Sequence, residues 1–175
     1  MFGRRGIGIA LSSLTLLGAS LVAAPAARAH TPIACAGQEN TRYTPGLQLA
    51  PRPTDIVAEG TYTCSDAPGH TVAATTRITA TTPQGSCLTL GSVRARETVR
   101  YGDGRTSVIS YTTGHSVRVL GVNNVRLDGV VVEGLGKGAR AQRAIQTAPA
   151  DLPTTCLAER GLQQVVSFTQ LHILP

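Results

Sequence analysis

The sequence predicts an all-β protein, an antiparallel β-sandwich of about nine short strands held by two disulfides. From about residue 41 onward, segments rich in Thr, Val and Ile alternate with Gly, Pro, Asp and Asn, the texture of strands and turns. Helical periodicity of useful length appears nowhere in this part of the sequence. The predicted strands follow one another at spacings of roughly 8–12 residues, which is typical of a sandwich.

The first 29 residues are predicted to be a signal peptide. Arg4 and Arg5 precede an uncharged stretch from Gly6 to Ala24, and Ala27-Arg28-Ala29 then has the small-x-small pattern of a cleavage site. Glycines and serines dilute the stretch, which disfavours a membrane span, and no later segment is apolar enough to be one. We therefore expect a secreted, extracellular protein whose residues 30–175 form a single domain.

The charge of the expected mature chain is modest. Residues 30–175 carry 13 Lys and Arg against 10 Asp and Glu, a formal net charge of +3. Trp is absent and the few aromatic residues are scattered. Because nucleic-acid binding needs clustered basic residues and stacking aromatics, we expect no nucleic-acid partner.

The clearest strand is "TVAATTRITA", residues 71–80. Its alternate residues place Val72, Ala74, Thr76, Ile78 and Ala80 on one face and the more polar residues on the other. This pattern predicts a strand with one face toward the core.

Two turns are predicted further along the chain. Asp103-Gly104 lies between the strand-like segments "SVRARETVRY" and "RTSVISYTT", which predicts a hairpin with a type I′ turn. A second turn is predicted at Asn123-Asn124. After it the alternation of Val125 and Leu127 slips at Gly129, which favours a bulge that turns Val130 and Val132 inward.

The last third of the chain continues this pattern. "GLGKGAR", residues 134–140, lacks the spacing of a phosphate-binding loop and is predicted to be a hairpin loop. "GARAQRAIQT" and "LQQVVSFTQLHI" are then predicted as the closing strands.

All four cysteines lie after the predicted cleavage site, at positions 35, 64, 87 and 156. An even number in a small exported domain indicates two disulfides, with three possible pairings. Nearness in the chain favours Cys64 with Cys87 and Cys35 with Cys156. Because no Cys-x-x-Cys pair occurs, a zinc site or a thioredoxin-like motif is disfavoured.

Several short motifs occur in a recognisable order: "YTPGL", a lone Cys64, "GSCLTL", "RYGDGRTS", "VVEGLGKGARA" and "TTCLAERGL". In this order the chain resembles the small secreted β-sandwich proteins of actinobacteria, a group of unknown function, over most of residues 35–174. The resemblance implies export and an immunoglobulin-like sandwich. It implies no activity, and no catalytic residue is carried over.

One candidate site is a copper centre. Cleavage after Ala29 leaves His30 as the first residue, and a terminal amine, its imidazole and a second histidine can bind copper as a histidine brace. His70, His115 and His172 are the possible partners, with His70 and His115 favoured because both lie in predicted turns. Against the brace, the mature chain has no methionine and few aromatics to present to a polymer.

A second candidate is an inhibitory loop. "APADLPTTCLAERG", residues 148–161, holds two prolines and Cys156 between two predicted strands. A loop preorganised in this way loses less entropy on binding, as in protease inhibitors. Leu157, Ala158 and Glu159 would lie near the scissile position. The alternative is a simple connection between strands.

No convergent set of catalytic motifs is present in the sequence. We therefore expect a secreted, non-enzymatic binding or envelope-associated module without a cofactor, whose ligand is an unidentified protein or glycan outside the cell. The protease inhibitor and the copper-binding protein are the two alternatives.

Overall fold

The structure is a computed structural model that describes residues 31–119, 122–147 and 155–175. The predicted signal peptide and His30 therefore lie outside the described residues. The nine strands are, in chain order, β1 (Ile33–Leu47), β2 (Arg52–Ala67), β3 (His70–Gly85), β4 (Leu90–Gly91), β5 (Arg94–Tyr101), β6 (Thr106–Val119), β7 (Val122–Gly134), β8 (Arg140–Thr147) and β9 (Leu162–Leu174). A 3-10 turn, Thr155–Leu157, precedes β9. Within the described ranges, no helix has the length and apolar character needed to cross a membrane.

The strands form a closed barrel, so the predicted β-sandwich is wrong, although the all-β class is confirmed. Each of the eight long strands pairs antiparallel with its neighbour in the chain, and β1 also pairs with β9. The short strand β4 pairs only with β3 and lies outside the ring. A sandwich would leave two separate sheets, whereas here the pairing of the first and last strands closes a single sheet on itself.

Alternate residues of every long strand face the barrel interior. The face predicted for residues 71–80 is confirmed, since Ala74, Thr76, Ile78 and Ala80 are buried and Val72 is half-buried. The predicted switch at Gly129 is wrong. Val131 is buried, Val130 is exposed, and Gly129 lies in regular register opposite Tyr111. The register instead slips on β6 between Tyr111 and Thr113, and on β7 between Val131 and Glu133.

The predicted turns are partly confirmed. Asp103-Gly104 does connect β5 and β6, but only Gly104 has a positive φ, so the turn is not type I′. Asn123 and Asn124 lie within β7, and the pairing of Val119 with Val122 places the reversal before them. Residues 134–140 form the β7–β8 hairpin connection as predicted.

The two disulfides pair differently from the prediction. The bonds join Cys35 to Cys64 and Cys87 to Cys156. Cys35 and Cys64 lie directly opposite each other on β1 and β2, with both side chains facing the interior. Nearness in the chain failed as a guide because β1 and β2 form a hairpin whose register places Cys35 directly opposite Cys64.

The two ends of the barrel differ. The capped end carries the β1–β2 turn, the β8–β9 connection and residues 86–93, which we call the cap segment. The cap segment is anchored by the Cys87–Cys156 bond and by the Cys87 N–H, which donates to the Gln48 carbonyl over 2.8 Å. Two residues of this segment, Leu90 and Val93, are buried. The opposite end, with the β2–β3, β5–β6 and β7–β8 turns, is filled by an apolar layer that includes Ile33, Val99, Val131 and Ile173.

Candidate functional site in the barrel interior

A cluster of charged and hydroxyl side chains crosses the middle of the barrel. Arg143 on β8 is fully buried and donates to Glu97 on β5, with Nη1 and Oε1 2.5 Å apart. The same Nη1 also donates to the Tyr62 hydroxyl, and Nη2 donates to Glu39 on β1. One guanidinium therefore links side chains from three other strands across the interior.

Glu97 is the most extensively hydrogen-bonded member of the cluster. The Thr76 hydroxyl donates to its Oε1 over 2.6 Å and the Tyr111 hydroxyl to its Oε2 over 2.5 Å, in addition to the bonds from Arg143 and Tyr62. Charge-assisted bonds of this kind offset the cost of burying a carboxylate. Glu39 has fewer partners, namely Arg143 and the neighbouring Thr41.

Glycines lie opposite the large side chains of this cluster and allow the neighbouring backbones to approach closely. Three bulky polar side chains each face a glycine directly across the ladder: Glu39 faces Gly60, Tyr62 faces Gly37 and Tyr111 faces Gly129. A Cβ atom on Gly37 would lie 1.8 Å from the Thr61 carbonyl oxygen, and one on Gly129 would lie 2.2 Å from that of Ser110. Alternation of large and small interior residues is how small barrels fill their lumen.

Burial shifts the protonation of these groups. Burial raises the pKa of Glu39 above its ordinary value, and the nearby Arg143 only partly opposes this effect. Burial, reinforced by the Glu97 charge, also raises the pKa of Tyr62 and Tyr111, which therefore stay neutral at pH 7. Burial by itself lowers the pKa of Arg143, but Glu97, Tyr62 and Glu39 outweigh it and raise the pKa.

A cavity of about 50 Å³ lies between this cluster and the cap segment. Its two walls differ in chemistry. One wall is apolar and is built from β2, β3, β5 and the cap segment: Ile56, Ala58, Ile78, Ala80, Val93 and Ala95. The other comes from β1, β7, β8 and β9 and carries the polar groups among apolar residues that include Val125, Leu127 and Ile145; the polar groups are Glu39, Thr41, Asn123, Thr147 and Ser167. The hydroxyls of Thr147 and Ser167 hydrogen-bond each other over 2.8 Å.

The outer wall of the barrel has two adjoining grooves of about 500 and 710 Å³. Asp55, Thr81 and Arg94 line both. These three side chains are exposed, so water and salt screen the charges of Asp55 and Arg94. The interior cavity is smaller but desolvated. The charge of its one carboxylate, Glu39, therefore acts more strongly on a bound ligand than the exposed charges of the grooves do.

The predicted copper ligands do not converge within the described residues. His70 begins β3 at the opposite end of the barrel, where its Nδ1 lies 2.5 Å from Asp66. His115 lies in β6 instead of a turn and faces outward, toward the capped end. His172 faces outward on β9. No group of three or more His, Cys, Asp or Glu side chains able to hold a metal occurs in ranges 31–119, 122–147 and 155–175.

The predicted inhibitory residues lie at the capped end. Leu157, Ala158 and Glu159 are exposed, and Leu157 ends the 3-10 turn. The Ala158 N–H donates to the Thr155 carbonyl and the Gly161 N–H to that of Ala158, so two tight turns follow each other. A segment that pairs with a partner as an added strand needs an extended backbone, which these turns do not provide. Residues 148–154 of the predicted loop lie outside the described residues.

Comparisons with protein-family models, with curated protein sequences and with solved structures found no match for this chain. The resemblance to secreted actinobacterial proteins stays a prediction for export and origin, and its immunoglobulin-like sandwich is replaced by the barrel. Two disulfides are consistent with an oxidising environment.

Sequence reasoning missed Glu39, Glu97 and Arg143, although two of them left a signal. In "RARETVRY" Glu97 shares its phase with Ala95, Val99 and Tyr101, which are all buried. In "RAQRAIQT" Arg143 likewise shares its phase with Ala141 and Ile145. A charge on the apolar phase of a strand indicates a buried, paired group.

Proposed function

We propose that this protein is a secreted, non-enzymatic binding module that holds a small, mainly apolar ligand inside the capped end of its barrel. The observation that carries the proposal is the two-walled cavity of about 50 Å³ beneath the cap segment. Eight-stranded barrels of this kind have interiors wide enough for side chains or for one small ligand. Here the side chains leave space next to Glu39, at the capped end.

The cavity sets the size of what enters it. Its volume is about a third of that of an engineered apolar cavity that binds benzene or xenon, roughly 150 Å³. The ligand, or the portion of it that enters, therefore has only a few non-hydrogen atoms. A probe of four such atoms can gain at most about 6 kcal/mol, which corresponds to a dissociation constant of about 40 µM.

Xenon and short alcohols are suitable probes, observed through the amide NMR shifts of the intact protein. We expect saturable shifts at residues around the cavity, such as Ala58, Ala80 and Val125. Ala80→Val adds two methyl groups to the cavity wall and is expected to abolish these shifts. Ala73→Val is the matched control, because Ala73 lies on the same strand but faces outward.

The proposal is wrong if no probe produces shifts at the cavity of the wild-type protein. It is equally wrong if Ala80→Val, folded as judged by its NMR spectrum, retains the same shifts as Ala73→Val.

A further inference from the structure

The charges buried inside the barrel do not balance. Among the described residues, three charged side chains are buried: Glu39, Glu97 and Arg143. With both carboxylates ionised, two negative charges face one positive charge, and the interior has a net charge of −1. A net charge in a low-dielectric interior is costly, so this interior favours the uptake of one positive charge.

The unbalanced charge belongs mainly to Glu39. Both oxygens of Glu97 accept hydrogen bonds from Thr76, Tyr111, Tyr62 and Arg143, whereas Glu39 relies on Arg143 and Thr41. Glu39 also lines the cavity, and Glu97 does not. A positive charge that enters the cavity therefore meets Glu39 first.

We propose, on the basis of the proposed function, that the ligand of the cavity is a small alkylamine bound as its ammonium ion against Glu39. The ammonium group donates to the Glu39 carboxylate, and its alkyl part packs against the opposite wall around Ile56, Ile78 and Ala80. Alkylamines, like the lysine side chain, are protonated at pH 7. An apolar wall suits an alkyl chain and provides no oxygen ligands for a hydrated metal ion.

In the absence of ligand, a proton bound to Glu39 neutralises its negative charge, as the ammonium group would. Burial raises the pKa of Glu39, so proton and ammonium compete for one carboxylate. Four of the groups around Glu39 do not titrate in the same range. Arg143 from β8 stays charged, and Tyr43 from β1, Tyr62 from β2 and Tyr111 from β6 stay neutral because the pKa of each is raised. Glu97 from β5 is held by four hydrogen bonds.

The test compares methylamine, ethylamine and propylamine with the neutral alcohol of the same length, by NMR titration at constant ionic strength. We expect at least one amine to bind the wild-type protein tenfold or more tightly than its alcohol. Amine affinity is expected to rise with pH as Glu39 ionises, whereas alcohol affinity stays constant. Sodium chloride in place of the amine salt is expected to produce no shifts at the cavity.

Two variants test whether Glu39 is responsible for the preference for amines over alcohols. Glu39→Gln keeps the shape of the side chain and removes its charge, so the tenfold preference is expected to disappear while alcohol binding remains. Glu59→Gln changes an exposed carboxylate on the outside of β2 and is expected to leave the preference intact.

The outcomes separate this inference from the proposed function. If xenon and the alcohols enter the cavity but no amine exceeds its alcohol, or if sodium produces the same shifts, the amine proposal is wrong and the binding cavity stands. If neither xenon nor the alcohols enter, the proposed function itself is wrong, whatever the amines do.

Discussion

Glu39 and Glu97 share one buried guanidinium, and this sharing governs the energetics of the barrel interior. Removing one partner of a buried ion pair is costly because the other charge is left unpaired in a low-dielectric medium. Arg143 has two carboxylate partners, so its loss would leave two such charges. Loss of the Glu39 charge has the opposite effect, because the remaining Arg143 and Glu97 then balance.

The first prediction follows from the raised pKa of Glu39. In the unfolded chain this carboxyl ionises near pH 4.5, while in the folded protein it retains its proton to higher pH. Because the unfolded state then binds fewer protons than the folded state, the free energy of unfolding falls as pH rises above about 4.5, until the folded pKa is reached. The loss is about 1.4 kcal/mol for each pH unit by which the pKa is raised.

Glu39→Gln is expected to remove this loss. Urea denaturation of the wild-type protein and the variant between pH 4 and pH 8 should give free energies that diverge as pH rises, with the variant the more stable. Glu59→Gln, at an exposed ion pair with Arg77, serves as the control and should follow the wild-type curve. Parallel curves for wild type and Glu39→Gln would contradict the prediction.

At the scale of the strand, the inward face was predictable from the sequence where the strand is regular, but the role of an interior glycine was not. Period-two alternation predicted the inward face of residues 71–80, because that strand is regular on both sides. Gly129 was interpreted as a bulge that turns Val130 inward. In the structure it lies opposite Tyr111 and lets the β6 backbone approach closely, while β6 carries one bulge and β7 another, at Val132. Alternation alone cannot separate these cases, since both place a glycine within a run of valines.

Gly129→Ala tests this role of the interior glycines. A Cβ atom there would lie 2.2 Å from the Ser110 carbonyl oxygen, so β6 and β7 must move apart. We expect a loss of about 1–3 kcal/mol or more in the free energy of unfolding. Gly91→Ala is the matched control, since a Cβ at that position meets no atom within 4 Å, and its effect should be within about 0.5 kcal/mol. Equal stability of the two variants in urea denaturation would overturn the assigned role.

At the scale of the whole molecule, the feature that sequence reasoning could not reach is the contact between the first and last long strands. Ten consecutive residues of β1, from Ile33 to Arg42, pair with β9. No local pattern encodes this pairing, because a strand that closes a barrel has the same alternation as one in a sandwich. The inward glycines at positions 37 and 60 were the available signal for a strongly curved sheet.

Because the barrel is closed, we expect the chain to tolerate ends at another turn of the ring. Circular permutation tests this expectation. Thr31, the first described residue, and Pro175 line the same pocket at the opposite end of the barrel, so a short glycine-serine linker can join them in a permuted version of residues 31–175. New ends at Gly69 open the two-residue turn between Ala67 and His70, where a Cβ added to Gly69 would meet no atom within 4 Å. All eight long strands and their pairings are preserved by this change.

We expect the permutant opened at Gly69 to retain the strand signal in circular dichroism and to unfold in one cooperative transition. New ends between Glu97 and Thr98 provide the control, because they divide β5, which pairs with both β3 and β6, and separate Glu97 from half of its strand. That second permutant is expected to lose cooperative unfolding. If both permutants unfold alike, the ring of neighbouring hairpins does not determine the stability of the molecule, and the closed barrel cannot explain how the Arg143 cluster is held in place.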